Sequence, residues 1–165
     1  MMIGIVYYSR TGNTRAVAQI LSEKLKQRNA AVDLIEIETV KRPGFFSAGR
    51  SAMKQVEIPI KNLNMDLGKY TTVVVGSPTW AGCCPPMINT FFVSAKNIKG
   101  KQTAMFITGS GPSDPQGKPR QMMRQSLMNA GMNPSENFLG LQMKKGRIVE
   151  GEQRIDGFVN LLLEK

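Results

Sequence analysis

A chain of 165 residues, 41% hydrophobic and 21% charged, has the size and composition of one well-packed soluble domain spanning 1–165. It holds no run of about 18 apolar residues, no repeat, and no basic leader with a small-residue cleavage site, which argues against a membrane span, a repeat array and a secretory signal. Basic residues number 22 and acidic ones 12, and the net charge of +10 favours anionic partners, whether acidic proteins, nucleic acid, membrane surfaces or phosphorylated ligands.

Met2-Ile3-Gly4-Ile5-Val6-Tyr7-Tyr8 is nearly all apolar, as in a strand buried on both faces. A helix is predicted over 13–28, with Val17, Ile20, Leu21 and Leu25 on one stripe and Glu23, Lys26 and Gln27 away from it. Residues 31–37 alternate enough for a second strand. Lys41-Arg42-Pro43-Gly44 then leads into an extra helix over 45–56. This segment reads as a surface helix packed through Phe45 and Phe46; a cap or docking element beside a ligand is the other reading. Residues 71–76, centred on Val73, Val74 and Val75, form a third buried strand. Pro85 or Pro86 opens the next helix, which carries Met87, Ile88, Phe91 and Phe92. A fourth strand is expected over 102–108, and a helix over 117–131 with Met122, Met123, Leu127, Met128 and Ala130 as its apolar members. A short fifth strand spans 138–143. The closing helix over 151–163 carries Ile155, Phe158, Val159, Leu162 and Leu163.

Strands alternating with helices imply an α/β fold: a three-layer, doubly wound, five-stranded parallel sheet of order 2-1-3-4-5. Such sheets bind ligands outside the carboxyl ends of the strands, at the switch point between strands 1 and 3. Unusual residues gather at those ends. Strand 1 is followed by Ser9, Arg10, Thr11, Gly12, Asn13 and Thr14. Strand 3 is followed by Ser77, Pro78, Thr79, Trp80, Ala81, Gly82, Cys83 and Cys84, including the only tryptophan of the chain. Strand 4 is followed by Gly109, Ser110, Gly111, Pro112 and Ser113.

The first cluster sits at a helix N-terminus, where backbone N–H groups lack intrahelical partners and the peptide dipoles add positive potential. A plain cap needs one Ser, Thr or Asn. Here five of six residues are Ser, Thr, Asn or Gly, which makes a cup for a phosphate group. Gly12 allows the tight approach, the hydroxyls add short donors, and Arg10 adds charge. The pattern is neither G-x-x-x-x-G-K-[ST] nor G-x-G-x-x-G, so ATP and a Rossmann-bound dinucleotide are not the first choice. Trp80 stands at a ligand-binding edge, where an indole can stack on a flat ligand, and Gly82 lets the backbone approach a ring edge.

These residues resemble the flavodoxin family. Ser9-Arg10-Thr11-Gly12-Asn13-Thr14 matches its phosphate signature [TS]-x-T-G-x-T, Gly76-Ser77-Pro78-Thr79-Trp80-Ala81-Gly82 is similar to its first flavin loop, and Thr108-Gly109-Ser110-Gly111 falls where its second should be. The resemblance implies a flavodoxin-like fold with FMN as cofactor. Its phosphate would lie in the cup, its isoalloxazine beside Trp80, and the Gly82 carbonyl near the flavin N5. It also implies single-electron transfer between redox proteins, with monomer and homodimer both open. Two departures matter. The second loop has no tyrosine to cover the outer ring face, which leaves room for a substrate. The chain is basic where electron-transfer flavodoxins are usually acidic, so a redox partner protein should carry an acidic surface, and the positive potential should make the reduced flavin easier to reach. The rival on the same scaffold is an FMN-dependent NAD(P)H:quinone oxidoreductase.

Other features carry less. Nucleic acid is not the expected partner, because Lys and Arg are scattered and only Lys144-Lys145-Gly146-Arg147 clusters. The chain has no histidine and no CxxC pair, so no metal site is expected. Cys83 and Cys84 are adjacent, with Cα atoms about 3.8 Å apart against the usual disulfide range of about 4.4–6.8 Å. A reducing cytoplasm fits best. The two cysteines read as small packing residues, with a redox role beside the ring as the alternative. The 11 methionines read as core filler.

Overall fold

A computed structural model describes residues 1–112 and 117–164, apart from the side chain of Phe45. The chain runs β1 (Met2–Tyr7), α1 (Asn13–Gln27), β2 (Ala31–Glu36), α2 (Phe45–Lys54), β3 (Thr72–Pro78), α3 (Pro86–Ser94), β4 (Gln102–Gly109), α4 (Lys118–Asn129), β5 (Asn133–Lys144), β6 (Arg147–Glu150), a 3₁₀ turn (Glu152–Arg154) and α5 (Ile155–Leu163). Among the described residues these strands form one six-stranded sheet of order β2-β1-β3-β4-β5-β6. The first five are parallel and take the expected order.

The sixth strand corrects the five-stranded expectation. β6 pairs antiparallel with β5, Lys144 facing Arg147. The two residues between them, Lys145 and Gly146, both have positive φ, 49° and 78°. That is the backbone of a two-residue hairpin turn, whose twist matches the strands it joins. The basic cluster at 144–147 is therefore a hairpin tip. β5 also starts earlier than its apolar run. Thr103 faces Pro134 while Met105 faces Phe138, so Ser135, Glu136 and Asn137 bulge out of register.

Burial on both faces explains the apolar strands. In β1, Ile3, Ile5 and Tyr7 enter the core under α1 and α5, with Val17, Leu21, Leu25, Phe158 and Val159. Val6 and Tyr8 enter the opposite core, with Phe91 and Phe92 of α3 and Met123 and Leu127 of α4. The side-chain period of two divides one strand between two layers of helix. α3 opens on Pro86 as expected, and Met87, Ile88, Phe91 and Phe92 are all buried. Five expected core members are not fully buried: Ile20, Met122, Ala130 and Leu163 are only partly so, and Met128 is 51% exposed on the outer side of α4. Among the described residues no helix is long and apolar enough to cross a membrane.

Candidate functional site

β1 leaves the sheet after Tyr7, and Tyr8 still donates its N–H to the Gly76 carbonyl at 3.2 Å. The loop then turns on Gly12, the N-cap of α1, at φ 91° and ψ −15°. That is left-handed backbone, natural for glycine and costly for other residues. No side chain at the cap position closes the helix. Ser9 Oγ accepts the Arg15 N–H at 3.2 Å, and Ala16 N–H reaches the Gly12 carbonyl at 2.9 Å. Asn13 and Thr14 open the helix with N–H groups that have no intrahelical acceptor, the arrangement that suits an anion.

The loop after β3 makes its own tight turn. Trp80 and Cys83 exchange both backbone hydrogen bonds at 2.9 Å across Ala81 and Gly82. Both turn residues have positive φ, 47° and 72°, so the turn is a miniature hairpin that presents Ala81 and Gly82 at the surface. Thr79 N–H bonds the Thr108 carbonyl at 2.8 Å and joins this loop to the end of β4.

A cleft of about 710 Å³ lies where these loops meet. It is lined by Arg10, Thr11 and Asn13 of the cup, by Pro78, Thr79, Trp80 and Ala81, by Thr108, Gly109 and Ser110, and by Met143. A second cleft of about 500 Å³ adjoins it, sharing Thr79, Ala81, Gly109 and Ser110 and adding Gly82, Gly111, Lys118 and Arg120 among others. Three strand ends that the sequence singled out are thus brought together.

Several predicted contacts are turned inward instead. Thr14 is buried and its Oγ1 shares a 2.9 Å hydrogen bond with Thr108 Oγ1, so its hydroxyl ties the cup to β4. Ser77 is buried, donating to the Pro78 carbonyl at 2.9 Å and lying 3.4 Å from Cys84 Sγ. Cys83 is buried behind Trp80, and neither it, Ser9, Gly12 nor Ser77 lines the first cleft. Trp80 lines the cleft but is only 9% exposed; its indole packs edge-on against Tyr8, ring centroids 5.5 Å apart at 85°.

For Cys84 the redox alternative is disfavoured by direction. Burial pushes the Cys84 thiol up to about 12, outweighing its hydrogen bond to Ser77. A thiol that protonated is a poor nucleophile. Both buried cysteines are expected to resist a disulfide reagent at pH 8 while the protein is folded and to react fully in denaturant. Rapid labelling of native protein would contradict that packing.

The extra helix expected over 45–56 is α2, and it lies beside the cleft as in the cap reading, not the surface reading; its residues were not among the expected site residues. Its inner side carries buried Ala48 and Ala52, while Phe46, Gly49, Arg50, Met53 and Lys54 line the first cleft. Phe46 is 90% exposed and does not pack the helix down as expected; the side chain of Phe45 lies outside the described residues. Spacing was the available signal, because 46, 50, 53 and 54 share one face at helical period. The segment is moored at both ends. Arg10 Nε donates to the Pro43 carbonyl at 3.1 Å and Arg42 Nη2 to the Arg10 carbonyl at 2.6 Å. Gln55 Nε2 donates to the Cys84 carbonyl at 3.2 Å. The cleft lining includes Arg10, Arg50 and Lys54 and, among the described residues, no carboxylate, so its potential favours an anion.

Solved structures share the fold. A Bacteroides eggerthii protein classed as a flavoprotein superposes with a TM-score of 0.72 at 22% identity, covering 99% of this chain and 99% of that one. A Lactobacillus acidophilus flavoprotein in complex with FMN gives 0.63 at 22% identity, over 81% of this chain and 89% of its own. A flavodoxin from the domain Archaea gives 0.58 at 18% identity, over 98% and 93%. No curated protein matches the chain in sequence. The flavodoxin resemblance therefore holds at the level of fold. The family model for NADPH-dependent FMN reductase matches residues 1–144, a span that contains every residue lining the first cleft, and the chain belongs to that family.

Proposed function

We propose that the chain is an FMN-dependent oxidoreductase that draws electrons from a reduced nicotinamide dinucleotide and delivers them to a small acceptor such as a quinone. It is an FMN-binding flavoprotein of the flavodoxin-like fold. Bound FMN would supply the redox chemistry, two electrons and a proton from the dinucleotide reaching the acceptor through it and a second proton coming from water. The chain's own residues hold and orient. The cup suits the phosphate: N–H groups at the start of α1, Arg10 beside them, and no carboxylate among the described lining residues. Thr79, Trp80 and Ala81 give the ring a wall, and at Gly109 a side chain would press within 3.3 Å of Thr79 Oγ1, so glycine leaves the backbone accessible there. The chain has no histidine, the commonest general base, and the cleft residues named here supply position and charge.

One observation carries the enzyme reading. After β4 the described residues Gly109, Ser110, Gly111 and Pro112 include no aromatic side chain to cover a flat ring from that side. The adjoining second cleft opens from the same edge. A ring left uncovered can be approached by a second flat molecule, which hydride transfer requires. The FMN-loaded protein, given NADPH and a soluble quinone with no protein partner, is expected to turn over at about 1 s⁻¹ or faster. Oxidation no faster than that with free FMN would overturn the reading. The net charge of +10 favours a second one, an electron carrier for an acidic redox protein. Under it, fast oxidation needs an added reductase.

A further inference from the structure

We infer that the tip of the β5–β6 hairpin, through Lys144, Lys145 and Arg147, makes the site select electron acceptors that carry negative charge, such as a quinone bearing a sulfonate or a carboxylate. The inference rests on the oxidoreductase reading and names the class of acceptor within it.

The tip stands at the ligand end of the sheet. β4 ends at Gly109, which lies opposite Gln142 of β5. β5 runs on through Met143 and Lys144 before the chain turns. At about 3.3 Å per residue the tip therefore rises about 7 Å past the end of β4. The hairpin also continues the wall of the site. Met143 lines the first cleft and Leu141 the second. Gln142 Nε2 donates to the Ser110 carbonyl at 2.8 Å and so ties the hairpin to the loop on the ring side.

The fold itself does not call for three cations there. Lys144, Lys145 and Arg147 are all exposed. Lys144 and Arg147 are direct cross-strand partners, and like charges so placed oppose the pairing. Charge that merely protects a sheet edge needs no like charge opposite it. Among the described residues none of the three is in an ion pair. No Asp or Glu occurs from 137 to 149, and Glu150 lies at the base of the hairpin, opposite Gln142. An anion above the tip relieves the repulsion. The adjoining second cleft adds Lys118 and, among its described lining residues, no carboxylate. Like-signed charge around a cleft mouth concentrates the opposite ion before contact. The tip borders a concave cleft of about 500 Å³, which favours a small anion over the surface of an acidic protein. In the step concerned reduced FMN gives up two electrons, and the quinone takes them with two protons and leaves as the hydroquinone.

The test follows that acceptor step alone. FMN-loaded protein, reduced anaerobically with one equivalent of dithionite, is mixed in stopped flow with naphthoquinone or with naphthoquinone sulfonate. The screening length falls from about 30 Å at 0.01 M salt to about 3 Å at 1 M. Over that range the rate constant for the sulfonate is expected to fall about tenfold and that for the neutral quinone by less than about twofold. At 0.01 M salt Lys144→Gln with Lys145→Gln should lower the ratio of the sulfonate rate to the neutral rate about fivefold. Lys96→Gln with Lys99→Gln removes the same charge between α3 and β4, at the opposite end of the sheet, and should lower the ratio by less than about twofold. Thermal melts check that both variants stay folded, and the hairpin variant should melt no lower than the unaltered protein, because a repulsion is gone. A sulfonate rate indifferent to salt overturns the inference. Equal falls of the ratio in the two variants also overturn it, since the preference then belongs to net charge. If either happens while the same preparation turns over NADPH with a quinone, only the role of the hairpin falls. If the ratio behaves as expected but NADPH leaves the flavin oxidised, the role of the hairpin stands and the oxidoreductase reading falls.

Discussion

Gly76→Ala is expected to destabilise the protein by about 3 kcal/mol, the upper part of the range for overpacking a closed core. Gly76 lies in β3 between Tyr7 of β1 and Phe106 of β4. A Cβ there would sit 2.1 Å from Phe106 Cζ, 2.4 Å from Cε1 and 2.8 Å from Cε2. Three close contacts on one ring cannot be relieved by a rotamer hop. The ring would have to move bodily, and it is fully buried among Ile3, Ile5, Val74, Ala104 and Leu139. For a domain of this size the cost corresponds to a fall in melting temperature of roughly 6–12 °C. In urea the midpoint should drop with the slope unchanged. Pairing the change with Phe106→Leu should recover part of the loss, since the clash and the cavity offset each other. A single variant within about 0.5 kcal/mol of the unaltered protein would show that the ring has room the structure denies it. Gly76 stands in the stretch that resembles a flavin loop, yet its need for glycine comes from the core.

That contrast runs through what the sequence made legible. The order of the parallel strands followed from apolar runs, because a strand buried on both faces has almost no freedom in composition. The place of the cleft followed from topology, which puts the ends of β1, β3 and β4 side by side. Individual side chains were less legible. Thr14, Ser77 and Cys83 are small and polar enough to face a ligand, but the same size lets them pair inside the protein, as Thr14 does with Thr108. Composition cannot separate the two outcomes, since both satisfy a hydroxyl. Trp80 lines the cleft, but nothing in the sequence showed that it would be nearly buried with its ring at 85° to that of Tyr8. α2 was misread for the opposite reason. A phenylalanine is ordinarily an anchor, yet Phe46 is exposed at the cleft while the smaller Ala48 and Ala52 are buried. The hairpin at Lys145-Gly146 was hidden because its charges drew attention from its turn geometry.

Gly12→Val is expected to lower FMN affinity by about 10–100-fold while changing riboflavin affinity far less, the difference being the loss of charge-assisted contacts to phosphate. A glycine can matter through the space around it or through its backbone angles. Around Gly12 nothing lies within 4 Å of an added Cβ, so no side chain clashes there. The cost lies in the backbone, at φ 91°, which a β-branched residue strongly disfavours. The loop relaxes toward ordinary angles, and the N–H groups that open α1 turn away from one another. Stability falls by only about 1–2 kcal/mol, because relaxation is open to a surface loop. Binding falls further, because an anion needs those donors converging. Gly12→Asn distinguishes this account from simple bulk. Asparagine adds a side chain about as bulky as valine's but tolerates left-handed backbone, so it should retain most of the affinity that valine loses. Fluorescence titration with FMN and riboflavin reads both variants. Equal losses for the two flavins would place the phosphate elsewhere. Equal losses for asparagine and valine would put the demand on volume, against the open space around the glycine.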